Sequence, residues 1–200
     1  FILFDACLMG AVEVAYELKD NADYIIASST ETLYTGFPYD MIIPDLMAVS
    51  PDLQKVAKKY MDYYQQLMGV YRSATISVIN TRELEKLAQI TSSLLAGNSI
   101  NWGLFKRSIV QRLDNYEEQY LFDFSDFMHK AFIGNQIELF DNQLKKVVLY
   151  KANTDEFMGE FLITTYCGLS SYIPLISRSD LNNYYQKLKW CKDSGYRNLF

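Results

Sequence analysis

The first ten residues, Phe1-Ile2-Leu3-Phe4-Asp5-Ala6-Cys7-Leu8-Met9-Gly10, constrain this chain more than any other stretch. Four bulky apolar residues lead without alternation, which suits a strand buried on both faces of an α/β sheet. From Met9 the pattern turns helical, with Met9, Val12, Ala15, Tyr16 and Leu18 on one stripe. The stretch therefore reads as a strand over 1–7, a sharp exit, and a helix over 9–19 that ends at Asp20-Asn21. In open α/β sheets, chemistry collects just outside the carboxyl ends of the strands. Cys7 falls at that point, close to the start of a helix, a setting in which cysteine nucleophiles are found.

Asp5 adds to this. Residues two apart on a strand share a face, so Asp5 and Cys7 are expected on one side. A carboxylate on a buried strand is costly unless something pairs with it. No basic residue stands near it in sequence. Asp5 is therefore expected to aim into a pocket that receives a positive group, either a protein Arg or Lys or a basic substrate side chain.

A short strand is expected at Tyr24–Ala27, parallel to the first because a helix joins the two. The polar stretch Ser28-Ser29-Thr30-Glu31-Thr32-Leu33-Tyr34-Thr35-Gly36-Phe37-Pro38 then falls on the same sheet edge as Cys7. Helices are expected over 39–47 and from Pro51 to Met68, the latter with Leu53, Val56, Ala57, Tyr60, Tyr64 and Leu67 as its buried stripe. The β-branched run 73–79 reads as a strand, and Asn80 with Glu83 as a capping box for a helix to Leu95. Further helices are expected over 99–113, 121–133 and 136–149, strands over 160–165 and 168–173, and a last helix from Asp180. The chain is expected to form one domain over 1–200, with 81–150 as a helical subdomain beside the sheet.

Composition removes some function classes. The net charge of −5 argues against a nucleic-acid partner. No run of 18 apolar residues exists, so no transmembrane helix is expected. Cys7, Cys167 and Cys191 are too few and too widely spaced for a disulfide framework or a zinc site.

The segment Asp5-Ala6-Cys7-Leu8-Met9-Gly10, continued by Val12-Glu13-Val14-Ala15-Tyr16-Glu17-Leu18, resembles the nucleophile segment of the clostripain family of cysteine endopeptidases. That family shares a clan with caspases, legumain and gingipains. Three later stretches resemble the family in the same order: Ser28-Ser29-Thr30-Glu31 to Gly36-Phe37-Pro38-Tyr39, Leu121-Phe122-Asp123-Phe124 with Asp126-Phe127, and Gly168-Leu169-Ser170-Ser171-Tyr172-Ile173-Pro174. The resemblance implies a caspase-like three-layer α/β sandwich with a mostly parallel sheet and a helical insertion. It implies a Cys–His dyad in which Cys7 attacks the scissile carbonyl, with an oxyanion hole of backbone N–H groups. Asp5 matches the residue at the base of a pocket for Arg or Lys, and Glu31 and Thr32 lie where the family's pocket loop falls. Protein or peptide substrates and a secreted or cell-surface bacterial location are implied in the same way. No metal or other cofactor is needed for the attack. Calcium enters by resemblance only, because some relatives require it.

The chain departs from the family in its histidine. The family's catalytic histidine precedes the cysteine, whereas the single histidine here is His129, on an expected helix surface. The base, the N-terminal strands and the half or light chain that carries them are thus expected to lie outside this chain, which alone should be inactive. The rival reading is a non-catalytic binding or scaffold module that keeps the fold. Asp114, Glu117 and Glu118 suggest a calcium site or simply an acidic loop. Lys55, Lys58 and Lys59 read as a solvated face, the Tyr60, Tyr63, Tyr64 and Tyr71 group as packing, and Cys167 and Cys191 as core thiols.

Overall fold

A computed structural model of the chain describes residues 1–97, 100, 105–132 and 136–200. The chain enters through β1 (Ile2–Leu3), turns, and forms α1 (Val12–Glu17) and β2 (Tyr24–Ala27). Then come α2 (Tyr39–Leu46) and α3 (Leu53–Gln66), the second capped by the Asp52 side chain, which accepts from Lys55 N at 3.0 Å. β3 (Thr75–Asn80) leads through a 3₁₀ turn capped by Asn80 into α4 (Leu84–Ala96). β4 (Leu121–Asp123) runs straight into α5 (Phe124–Ala131), which the Asp123 carboxylate caps at Asp126 N. α6 (Gln136–Val147) gives way without a break to β5 (Val148–Asn153). A small hairpin, β6 (Glu156–Phe157) with β7 (Phe161–Leu162), precedes β8 (Ser170–Tyr172), α7 (Ser179–Tyr185) and α8 (Lys189–Asp193).

The main sheet has the order β1-β2-β3-β5. β1 pairs in parallel with β2, and β3 is antiparallel to both of its neighbours. Three of the four strands therefore run one way and β3 alone is reversed. The sheet is mixed, with a shared strand direction as its majority, because β3 sits inside the sheet and reverses two pairings at once. Helices cover both faces. Ile26, Ile76 and Val78 pack against Val56, Ala57, Tyr60 and Tyr64 of α3 and Ile42 of α2. On the other face Ile25, Ala27 and Ile79 meet α1, α4, α5, α6 and α8. Two-faced burial explains why β2 reads as an unbroken apolar run. The result is the expected three-layer α/β sandwich. The second face carries an aromatic knot: Trp190 lies 5.4 Å from Tyr16, 5.7 Å from Phe124 and 5.8 Å from Tyr196, centroid to centroid. At about 1 kcal/mol per edge-to-face pair beyond burial, this ties α8 firmly to α1.

Several expectations give way. β1 is two residues long, and it lies at the sheet edge with partly exposed residues, not buried on both faces. The helix behind Cys7 starts at Val12, because residues 6–10 form a turn. Residues 99 and 101–104 of the expected helix over 99–113 lie outside the described residues; 107–109 is a single 3₁₀ turn, and Arg112 bridges Phe122. Leu121–Asp123 is a strand because β8 is there to pair with it, Leu121 opposite Tyr172. β5 replaces the end of the expected helix over 136–149, since Thr75–Ile79 offers it a ladder. The last helix breaks into α7 and α8 around residues 186–188.

Candidate active site

Parallel pairing of β1 and β2 puts the loops that follow them side by side. Phe4 N donates to Ile26 O at 2.9 Å, Leu8 N to Thr30 O at 3.0 Å and Gly10 N to Ser28 O at 2.7 Å. The turn that carries Cys7 is thus laced to the 28–30 segment. Gly10 permits this contact: a Cβ there would lie 2.6 Å from Ser29 Oγ and 2.8 Å from Ser29 N. Leu8 holds a left-handed φ of 64°, a conformation that costs a branched residue about 1–2 kcal/mol and is stored directly after the thiol. Behind the loop, Thr75 Oγ1 accepts from Ser29 N at 3.0 Å and from Thr30 N at 3.1 Å. Ser170 N donates to Gly10 O at 3.0 Å and ties β8 to the same turn.

Cys7 is exposed, and its sulfur receives the Thr32 N–H at 3.3 Å and faces Thr32 O at 3.7 Å. Asp5 is exposed as well. It leaves the strand and turns to the far end of the same loop, so the expected sharing of one strand face gives way to sharing of one loop. Its Oδ2 accepts from Tyr39 OH at 2.9 Å and, at the long limit, from Phe37 N at 3.5 Å. Gly36, with φ of 60°, lies against the carboxylate: a Cβ there would be 2.6 Å from Asp5 Oδ2. No other residue type fits both demands.

This end of the loop rests on α3. Tyr64 OH donates to Gly36 O at 2.9 Å and meets Thr35 Oγ1 at 2.9 Å, while Phe37 lies 4.4 Å from Tyr60. Tyr60 and Tyr64 are therefore packing residues beneath this end of the loop. Burial, then the hydrogen bond to Asp5 and its charge, raise the Tyr39 phenol above its usual pKa. Tyr39 thus remains a neutral donor.

Thr32 meets Cys7 through its backbone, and its hydroxyl is buried without a partner among the described residues. Glu31 turns to a different neighbour: Oε1 accepts from Asn115 N at 3.0 Å, and Oε2 is buried without a partner among the described residues. The acidic turn that Glu31 touches does not fit a calcium cage. Asp114 accepts the backbone N–H groups of Tyr116, Tyr120 and Leu121, and Glu118 is held by Arg178 and Tyr120 OH. Among the described residues no group of three His, Cys, Asp or Glu side chains is arranged to hold a metal. His129 lies on α5 with Nε2 2.9 Å from Asp141 of α6, engaged there and not with Cys7. Lys55 and Lys59 pair with Asp45, and Lys58 with Asp62. Gly36 and Tyr39 are the site residues that the sequence alone did not single out. A glycine followed by two aromatics was their only signal.

An exposed thiol and carboxylate beyond adjacent parallel strands of a three-layer sandwich are the arrangement of a caspase-like α/β fold. The Clostripain family model matches residues 1–198, and the chain belongs to that family, whose members among the solved structures are cysteine proteases. The chain is similar to a protease from Parabacteroides distasonis described as an inactive zymogen. The identity is 34% and the TM-score 0.89, over 97% of this chain and 58% of that one. It is similar to a clostripain from Bacteroides thetaiotaomicron in complex with the peptide inhibitor BTN-VLTK-AOMK, at 30% identity and TM-score 0.87 over 96% and 85%. A secreted cysteine protease of the same organism, iotapain, matches at 30% and 0.86 over 96% and 54%. The chain thus spans little more than half of two of these proteins. A search of curated protein sequences gives no match. Among the described residues no helix is long and apolar enough to cross a membrane.

Proposed function

We propose that this chain supplies the nucleophile and the selectivity pocket of a secreted cysteine endopeptidase that cleaves after Lys or Arg. One observation carries the reading: a single loop, residues 28–39, reaches both Cys7 Sγ, through Thr32 N–H, and the Asp5 carboxylate, through Phe37 N–H and Tyr39 OH. A peptide laid along this loop would place a basic side chain at Asp5 and its carbonyl at Cys7. The sulfur attacks that carbonyl and the leaving amine takes a proton, which gives a thioester that water then hydrolyses. The Cys7 N–H, with no acceptor among the described residues, is the oxyanion donor. His129 is engaged with Asp141 and is not the proton donor in this reading. Glu31 and Thr32 lie at the Cys7 end of the loop, Glu31 with one oxygen unpartnered among the described residues. The peptide part of the inhibitor bound to the Bacteroides thetaiotaomicron clostripain ends in Lys, which agrees with a pocket for a basic side chain, and the secreted iotapain supports the location.

The test is covalent labelling of the complete protein by a Lys-terminated peptide acyloxymethyl ketone. Labelling is expected in the wild type and absent in Cys7→Ala. Labelling that persists in Cys7→Ala removes Cys7 as nucleophile, and a wild type that never labels or cleaves favours the non-catalytic scaffold.

A further inference from the structure

The two oxygens of Asp5 are unequal. Oδ2 already accepts from Tyr39 OH at 2.9 Å and from Phe37 N at 3.5 Å, whereas no donor reaches Oδ1 among the described residues. The Tyr39 phenol has given its only proton to Asp5, so its oxygen lone pairs remain free to accept. An incoming cation therefore meets one carboxylate oxygen and one phenol oxygen, set apart at two corners. Arginine draws its advantage over lysine from a planar fork that needs both oxygens of one carboxylate. Tyr39 OH and Phe37 N–H together occupy the two lone-pair sites of Oδ2, which opposes that mode. An ammonium group carries three rotatable donors and is served by separate acceptors.

Tyr39 is also held where it stands. Its ring lies 6.3 Å from Phe37, which packs at a tilt against Tyr60, and it opens α2 directly after Pro38. Gly36 keeps the space above the carboxylate clear. We propose that Tyr39 is a positioning residue that ties up Asp5 Oδ2 and thereby makes the pocket select lysine over arginine. This rests on the reading of Asp5 as the pocket carboxylate.

The test is kcat/KM of the complete protein on peptides that differ only at P1, as Lys, Arg or Gln, for the wild type, Tyr39→Phe and Asp5→Asn. The wild type is expected to favour Lys over Arg. Tyr39→Phe is expected to move the Lys:Arg ratio toward Arg by roughly fivefold, since Oδ2 becomes available to the fork and the phenol acceptor is lost. The ratio is the readout, because damage to the fold would lower all three substrates together. A shared loss with an unchanged ratio, or a wild type that favours Arg, overturns the role of Tyr39. If Asp5→Asn still reduces both basic substrates to the level of Gln, the pocket reading survives that failure. If Asp5→Asn leaves all three rates as they were, both readings fall.

Discussion

Cys7 with Asp5 at the rim and Cys167 with Asp123 in the interior pair the same two side-chain types in opposite surroundings. At the rim both groups are exposed, and each has its own donor from the 28–39 loop. In the interior, Asp123 accepts Cys167 N at 2.5 Å and Asp126 N at 2.9 Å, and Cys167 Sγ donates to Leu169 O at 3.1 Å. Burial, and then the charge of Asp123, push the Cys167 thiol well above its usual pKa. Burial likewise pushes Asp123 up, against its two N–H donors. The interior couple fastens α5 and the approach to β8 together, whereas the rim couple holds the 28–39 loop and stays open to solvent. Exposure and direction, not residue type, separate a reactive thiol from an inert one.

The largest expected effect tests that separation directly. Cys7→Ala should abolish peptidase activity, and Cys167→Ala should not. In the folded protein a small disulfide reagent should titrate one thiol quickly and the other two only after denaturation. Fast reaction of Cys167 or Cys191 would break the comparison. Next, Asp5→Asn should lower kcat/KM on basic substrates by about a hundredfold, the weight of one charge-assisted pair. Asp123→Ala should instead leave activity per folded molecule intact and cost about 3 kcal/mol in urea unfolding, because two buried N–H groups lose their acceptor.

Glu13 extends the interior side of the contrast. Its Oε1 accepts Tyr172 N at 2.9 Å, and its Oε2 is buried without a partner among the described residues. Burial pushes it from 4.5 up to about 7, with the Tyr172 N–H opposing. A carboxyl raised on folding contributes stability that is full below its unfolded value. That stability is lost as pH rises through the folded value. Urea stability should therefore fall between about pH 5 and pH 8, by up to about 3 kcal/mol, and Glu13→Gln should flatten that slope. An unchanged slope in the variant would remove Glu13 as its source. The smallest effect is at the rim: Gly36→Ala should cost about 1 kcal/mol for its left-handed φ. It should also raise KM for basic substrates, since the new Cβ meets Asp5.

Much of the layer plan was legible because it depends on local periodicity. The β1-α1-β2 unit and the α3 stripe follow from apolar spacing, α4 follows from its start at Asn80, and the parallel pairing of β1 with β2 follows from the helix between them. Cys7 and Asp5 stood out because a carboxylate and a thiol ending an apolar run need a reason to be there. β4 and β5 were not legible. Their strand character depends on partners far along the chain, Ser170–Tyr172 for one and Thr75–Ile79 for the other. A two-residue edge strand likewise looks identical in sequence to a long buried one.

The sequence by itself determined the family and singled out Cys7 and Asp5 as candidates, because those are matters of residue type and order. Only the tertiary structure decided what each group faces. It turned Asp5 off the strand toward Tyr39 and gave Glu31 to Asn115. It also committed His129 to Asp141 and set Thr32 N–H at the sulfur. The physical reason is that hydrogen-bond partners are chosen by loops laid side by side at the end of parallel strands. Those neighbours lie 12 to 84 positions apart in the chain, beyond the reach of any local pattern.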